Sequence, residues 1–169
     1  SKLISNGYSE DEALIEVMPI NFQTNIVGNP YLNYGYYLAP IFMFMGIVVF
    51  VVVSTIYAIG RELKYGTAES WLQSANNSLL TATTGKLLPI YVSMAIVSLI
   101  ACIILFVCMG MTYTGNYIIL TLDIAILIAA YQSVATFIVS MTSNLRLGLS
   151  LGGGYAVMAF TFSGITFPT

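Results

Sequence analysis

The sequence predicts an all-α polytopic membrane protein, with four membrane spans and a short amphipathic helix lying outside them. Three observations lead there. Hydrophobic residues make up 58% of the chain and charged residues only 7%, against roughly 25% charge in an ordinary soluble domain. The charges are confined to a few places: none stands between Glu16 and Arg61, between Lys86 and Asp123, between Asp123 and Arg146, or beyond Arg146. Each charge-free run is long enough to hold the roughly 20 apolar residues that cross about 30 Å of hydrocarbon.

Several function classes fall away on composition. There is apolar surface enough to bury, which excludes disorder. A net charge of -2 with five scattered cations gives no patch to neutralise phosphates, so no nucleic-acid partner is expected. The chain has no His, the commonest general base and metal ligand, and no metal site is expected. Cys102 and Cys108, six apart, point about 120° apart on a helix and form no redox motif. Gly152-Gly153-Gly154 has no adjacent Lys and is no phosphate loop.

Residues 1–35 differ from the rest and read as the end of an extracytoplasmic domain. They hold four of the seven acids: Glu10, Asp11, Glu12 and Glu16. Ser9 and Glu12 are spaced as a capping box for a helix that Pro19 would end near Met18. Ile20, Phe22 and Ile26 alternate with Asn21, Gln23 and Asn25, the period of a half-buried strand. An unstructured lead-in is the alternative. Ser1 is not an initiator Met and the chain stops at Phe167-Pro168-Thr169, so it reads as a piece of a larger protein.

Residues 36–169 read as the transmembrane domain. Trimming polar ends leaves spans at about 37–59, 87–110, 119–141 and 147–167. Pro40 and Pro89 are expected in the first turns of their spans, where Pro costs little. With four spans, Arg61, Lys64, Lys86 and Arg146 all fall on one side, against Lys2 on the other. The positive-inside rule then makes the 60–86 and 142–146 loops cytoplasmic and the N-terminal segment extracytoplasmic. Tyr31, Tyr34, Tyr36, Tyr37, Tyr113 and Tyr117 gather at the outer boundary as an aromatic belt would, with Tyr65 and Trp71 at the inner one.

The loop from Arg61 to Lys86, RELKYGTAESWLQSANNSLLTATTGK, is longer than a link between neighbouring helices requires. Gly66-Thr67 breaks the emerging helix. A new helix is expected from Thr67 as N-cap. Trp71, Leu72, Ala75, Leu79 and Ala82 then come at spacings of three or four, opposite Gln73, Asn76 and Asn77. Such an amphipathic helix can rest on the lipid surface or dock into a partner's groove.

These residues resemble a family. Glu62-x-x-x-Gly66-Thr67-x-Glu69, an amphipathic stretch, then Gly85-Lys86-x-x-Pro89 is similar to the permeases of ABC-2 type exporters. Asn29-Pro30-x-Leu32 followed by Pro40 resembles the entry to the second transmembrane helix in the subgroup with a large extracytoplasmic domain. Ser163-Gly164-Ile165-Thr166-Phe167-Pro168 resembles the outer end of the fifth. The chain departs at Ala75, near which the family usually has Pro. The resemblance implies that the four spans are helices two to five, in a bacterial cytoplasmic membrane. It also implies a second permease copy, the same or different, and a separate ATPase subunit that holds ATP and Mg. No cofactor is then bound directly and no catalytic residue is present. The loop helix would be the coupling helix, with Glu62, Gly66, Thr67, Glu69, Trp71, Leu72, Gly85 and Lys86 as its coupling residues.

Within the spans, Asp123 is the only acid. An acid at the bilayer centre costs roughly 2.5–3.5 kcal/mol, so a boundary position fits it. Asp123 and Gln132 are candidates for a substrate path, although Asp123 reads first as a solvated or hydrogen-bonded boundary residue. Gly148-x-x-x-Gly152 and Ser150-x-x-x-Gly154 permit close helix approach, either within the chain or at a dimer interface. The function expected is that of a permease subunit in an ATP-driven exporter. The alternative is a membrane scaffold without transport, which would need no ATPase-docking loop. An intramembrane enzyme would need paired acids or a nucleophile and base, and no such set is present.

Overall fold

The computed structural model describes residues 34–162. The expected helix over 9–18, the strand over 20–26, the 29–32 segment and the closing 163–168 motif lie outside them. Among the described residues the chain is helical, without a strand. Its elements are α1 (Tyr34–Tyr65), α2 (Ala68–Gln73), α3 (Leu79–Ile103) with a π-helical turn (Ile104–Cys108), α4 (Tyr117–Thr142) and α5 (Leu145–Thr161). Helices dominate because backbone N–H and C=O groups in hydrocarbon must pair within their own segment.

Among the described residues three helices are long and apolar enough to cross a membrane: Leu38–Tyr65, Leu79–Cys108 and Tyr117–Thr142. The described part of α5 has 17 residues, about 26 Å at 1.5 Å per residue, and the remainder of the fourth span expected over 147–167 lies outside the described residues. The protein is thus an all-α, multi-pass membrane protein.

α1 packs against α3, α4 and α5, using two sides of one helix. Val48, Val52, Ile56 and Ile59 meet Ala135 and Val139 of α4 and Leu145 and Ala156 of α5. Ile47 and Val51 meet Ala101 and Cys102 of α3 and Ile124 and Ile128 of α4. At most 33% of each long span's apolar window is buried by this chain. Phe42, Phe50, Ile126 and Phe137 point outward, as they can where lipid or another subunit is the neighbour.

Asn and Ser residues start the helices. Ser78 Oγ accepts from the Thr81 N–H at 3.4 Å. Asn116 Oδ1 accepts from Ile118 at 2.8 Å, and Asn144 Oδ1 from Arg146 and Leu147 at 3.0 and 3.4 Å. Each satisfies N–H groups that the helix itself leaves open. At the opposite end from α2, Phe106, Tyr113 and Tyr117 stack in one cluster with centroids 5.3–6.1 Å apart. Tyr113 and Tyr117 thus sit together where α3 ends and α4 begins.

Three expectations are corrected. The helix expected over 67–82 is broken: α2 stops at Gln73, because Asn76 and Asn77 stand at φ 54° and 58°, a left-handed conformation that Asn tolerates better than most residues. The segment from Leu79 onward already belongs to the second long helix, so α3 begins eight residues before the expected 87. Pro40 and Pro89 lie inside their helices rather than in the first turns. Pro89 cannot donate to the carbonyl four residues back, that of Gly85.

The small residues of α5 divide by face. Gly148 and Gly152 are buried. A Cβ on Gly152 would lie 2.2 Å from Ile56 Cδ1 and 3.0 Å from Val52 Cγ1, whereas one on Gly154 meets nothing within 4 Å. Gly152→Val is therefore expected to destabilise the purified protein by about 1–3 kcal/mol through overpacking. Gly154→Ala should leave stability unchanged or raise it by up to about 1 kcal/mol, the usual gain for Ala over Gly within a helix. Thermal unfolding in detergent compares the two.

Candidate coupling site

The end of α1 explains the spacing of Glu62, Gly66 and Thr67. Gly66 stands at φ 68°, a conformation that favours glycine. It is the residue just past the helix. The Thr67 N–H then reaches back to the Glu62 carbonyl at 3.0 Å, the six-to-one bond of a Schellman cap. That bond brings the Thr67 side chain over the Glu62 side chain, and Thr67 Oγ1 donates to Glu62 Oε2. The sequence assigns the Thr67 hydroxyl to capping α2, and this too is corrected. The hydroxyl serves Glu62, and α2 begins with the Thr67 carbonyl accepting from the Trp71 N–H at 3.0 Å.

Lys86, at the start of the third turn of α3, completes the arrangement. Its Nζ forms an ion pair with Glu62 Oε1 and lies 4.7 Å from the centroid of the Trp71 ring. One carboxylate thus receives donors from the α1–α2 turn and from α3, while the ring of α2 covers the cation from the other side. The pair is partly shielded, with side-chain exposures of 23% for Lys86 and 18% for Glu62. A pair held this way is worth more than a fully solvated one, and a cation over an indole adds about 0.5–1 kcal/mol at partly exposed sites.

The structure therefore brings together Glu62, Gly66, Thr67, Trp71 and Lys86. Leu72 is half-buried on α2, and its carbonyl accepts from Ala75 and Asn77 in the turn. Glu69 stays outside the knot: it is exposed and accepts only a long 3.5 Å bond from Gln73. Gly85 is exposed, with nothing within 4 Å of an added Cβ.

The two residues expected on a substrate path are not brought together. Nine positions apart on α4, they lie about 180° apart around the helix. Asp123 is exposed near the start of α4. Gln132 is buried, and its Nε2 donates to the Leu87 carbonyl of α3 at 3.2 Å. Nearby, Tyr91 donates to the Ala125 carbonyl at 3.2 Å. Gln132 also lines an open groove of about 570 Å³ between α3 and α4 with Thr83, Thr84, Tyr91, Ser133 and Thr136. Sequence reasoning misses the Thr83, Thr84 and Tyr91 contribution, since only the packing of α3 on α4 shows that they share a face with Gln132. Among the described residues no group of His, Cys, Asp and Glu could hold a metal ion.

The described residues thus form a polytopic helical domain with a polar knot where two spans meet a short external helix. The chain belongs to the ABC-2 transporter family: the family model described as "ABC-2 family transporter protein" matches residues 2–169. No curated protein and no solved structure matches it. The chain is accordingly a permease component of an ABC transporter, a class that works in the membrane with an ATPase subunit.

The ion pair itself is testable. In a double-mutant cycle of Glu62→Gln and Lys86→Met, followed by thermal unfolding, the interaction energy is expected near 1 kcal/mol. A matching cycle of Glu62→Gln with Arg61→Gln should give a clearly smaller one.

Proposed function

We propose that this chain is the permease of an ATP-driven exporter, and that α2 is the element through which a separate ATPase subunit drives it. The observation that carries the reading is the Glu62–Thr67–Lys86–Trp71 knot. It ties α2 to the ends of two long spans at once, so a push on α2 is delivered to α1 and α3 together rather than absorbed by a loose loop. ATP and Mg would be held by the ATPase and none by this chain.

Within that reading the surface of α2 outside the knot, including Glu69 and one side of Leu72, is the face offered to the ATPase. Binding there would transmit work only if the ATPase contacts it differently in its two nucleotide states. The loop lies on the cytoplasmic side, because four of the five cations stand at that end and cytoplasmic loops collect Lys and Arg. The N-terminal segment is then extracytoplasmic, in a bacterial cytoplasmic membrane.

A second permease copy would pack on the free face of α5. Ser150, Gly153 and Gly154 stand there without being needed for packing inside the chain: Ser150 and Gly154 are exposed and an added Cβ on either glycine meets nothing. Small residues at that spacing let helices approach closely. The Gln132 groove is the side of the chain we assign to the substrate path, with Asp123 a boundary residue off that path.

Glu69→Lys, outside the knot, should leave the fold intact yet cut transport by tenfold or more, with ATP hydrolysis by the reconstituted complex no longer stimulated by substrate. Unchanged transport and unchanged stimulation in that variant would show that α2 does not couple.

A further inference from the structure

A second polar feature lies at the same end of the molecule, away from the knot. A pocket of about 510 Å³ is lined by Lys64 of α1, Ser143 and Asn144 of the turn after α4, and Leu145, Arg146 and Leu149 of α5. Its volume is within the roughly 300–1,000 Å³ of small-ligand sites. We propose that this pocket holds the phosphate of an anionic phospholipid headgroup, with Lys64 and Arg146 as its two cations.

Depth in the membrane is set by packing. Gly60 is buried under Leu145: an added Cβ would lie 2.8 Å from Leu145 Cδ1 and 3.3 Å from its Cα. That contact seats the start of α5 against the end of the apolar stretch of α1. Lys64 is one turn further along α1 and Arg146 is the next residue of α5. Both cations therefore emerge where hydrocarbon gives way to headgroups. Basic pockets between spans at this level are suited to anionic headgroups.

Both cations are exposed and free to meet an outside anion. Lys86 has its carboxylate in Glu62. Lys64 and Arg146 have none among the described residues, and Lys64 lies only over the Tyr65 ring, at 5.3 Å. Glu69 sits on α2 beside Gln73, and Asp123 is 19 residues from the Thr142 end of α4, about 28 Å along the helix. No carboxylate lines the pocket. The helix terminus itself is not the donor, since Asn144 Oδ1 already takes the Arg146 and Leu147 N–H groups. The two cationic side chains remain, with the carboxamide N–H group of Asn144 beside them. Such a lipid site depends on the membrane fold and not on coupling through α2, so either can fail without the other.

The test titrates the purified full chain in neutral detergent with fluorescent phosphatidylglycerol, competed by unlabelled phosphatidylglycerol, phosphatidylcholine or millimolar inorganic phosphate. Saturable binding is expected, displaced by phosphatidylglycerol alone. Lys64→Gln and Arg146→Gln should each weaken it about fivefold, the equivalent of about 1 kcal/mol per charge. Lys64→Arg should keep it, which separates lost charge from lost fold. Arg61→Gln removes the same charge outside the pocket and should also keep it. The proposal is overturned by non-saturable binding, by an Arg61→Gln effect as large as the other two, or by full displacement with inorganic phosphate, which would make this a free-anion site.

Discussion

Glu62 accepts from Lys86 and from Thr67 at once, and much of the organisation at this end of the molecule depends on that carboxylate. α1 would otherwise end in a free turn at Gly66, and α2, with only six residues, is too short to hold its place alone. Isolated helices of that length are not stable in water, so α2 owes its position to what it touches. Those contacts are the Thr67 turn on one side and the cation of Lys86 under Trp71 on the other. The motif of Glu, Gly and Thr with a distant Gly-Lys is thus one structural device. The glycine supplies the left-handed turn, the threonine reaches the acid, and the lysine brings in the second span.

Behind the knot, α1 is the common wall of the bundle. Its two apolar sides face different partners, α3 with the first half of α4, and α5 with the second half of α4. In the proposed coupling, motion that α2 receives would enter the bundle through α1 and, by way of Lys86, through α3. Close packing makes such an element move as a body rather than bend at a side chain. The same packing divides α5. Gly148 and Gly152 are consumed against α1, which leaves the Ser150 and Gly154 side uncommitted inside the chain.

The large features are legible from the sequence because they rest on properties of runs. Scarce, clustered charge marks spans, and Glu62, Gly66, Thr67 and Lys86 stand at separations that only a turn and a returning helix can use. Features that depend on a single dihedral, or on which neighbour a face meets, are not legible. The periodicity of Trp71, Leu72, Ala75, Leu79 and Ala82 runs straight through Asn76-Asn77 and predicts one helix where two left-handed residues make a turn. Two overlapping small-residue pairs on α5 look alike until α1 is placed against one of them. Asp123 and Gln132 group together as polar residues of one span, yet nine positions put them on opposite sides of α4. The basic pocket is invisible for a similar reason. Lys64 and Arg146 are 82 positions apart, and only the seating of Leu145 on Gly60 joins them.

In the coupling role we propose, the knot makes α2 a rigid extension of the spans. Spin labels at Ser70 on α2 and Thr84 on α3, read by pulsed electron resonance in the complex with its ATPase, test it most directly. A rigid α2 predicts one narrow distance that stays the same with and without bound ATP, and that broadens when Glu62→Gln and Lys86→Met are introduced together. A distance that shifts on ATP binding in the unmodified protein, or one that the double substitution leaves narrow, would contradict it.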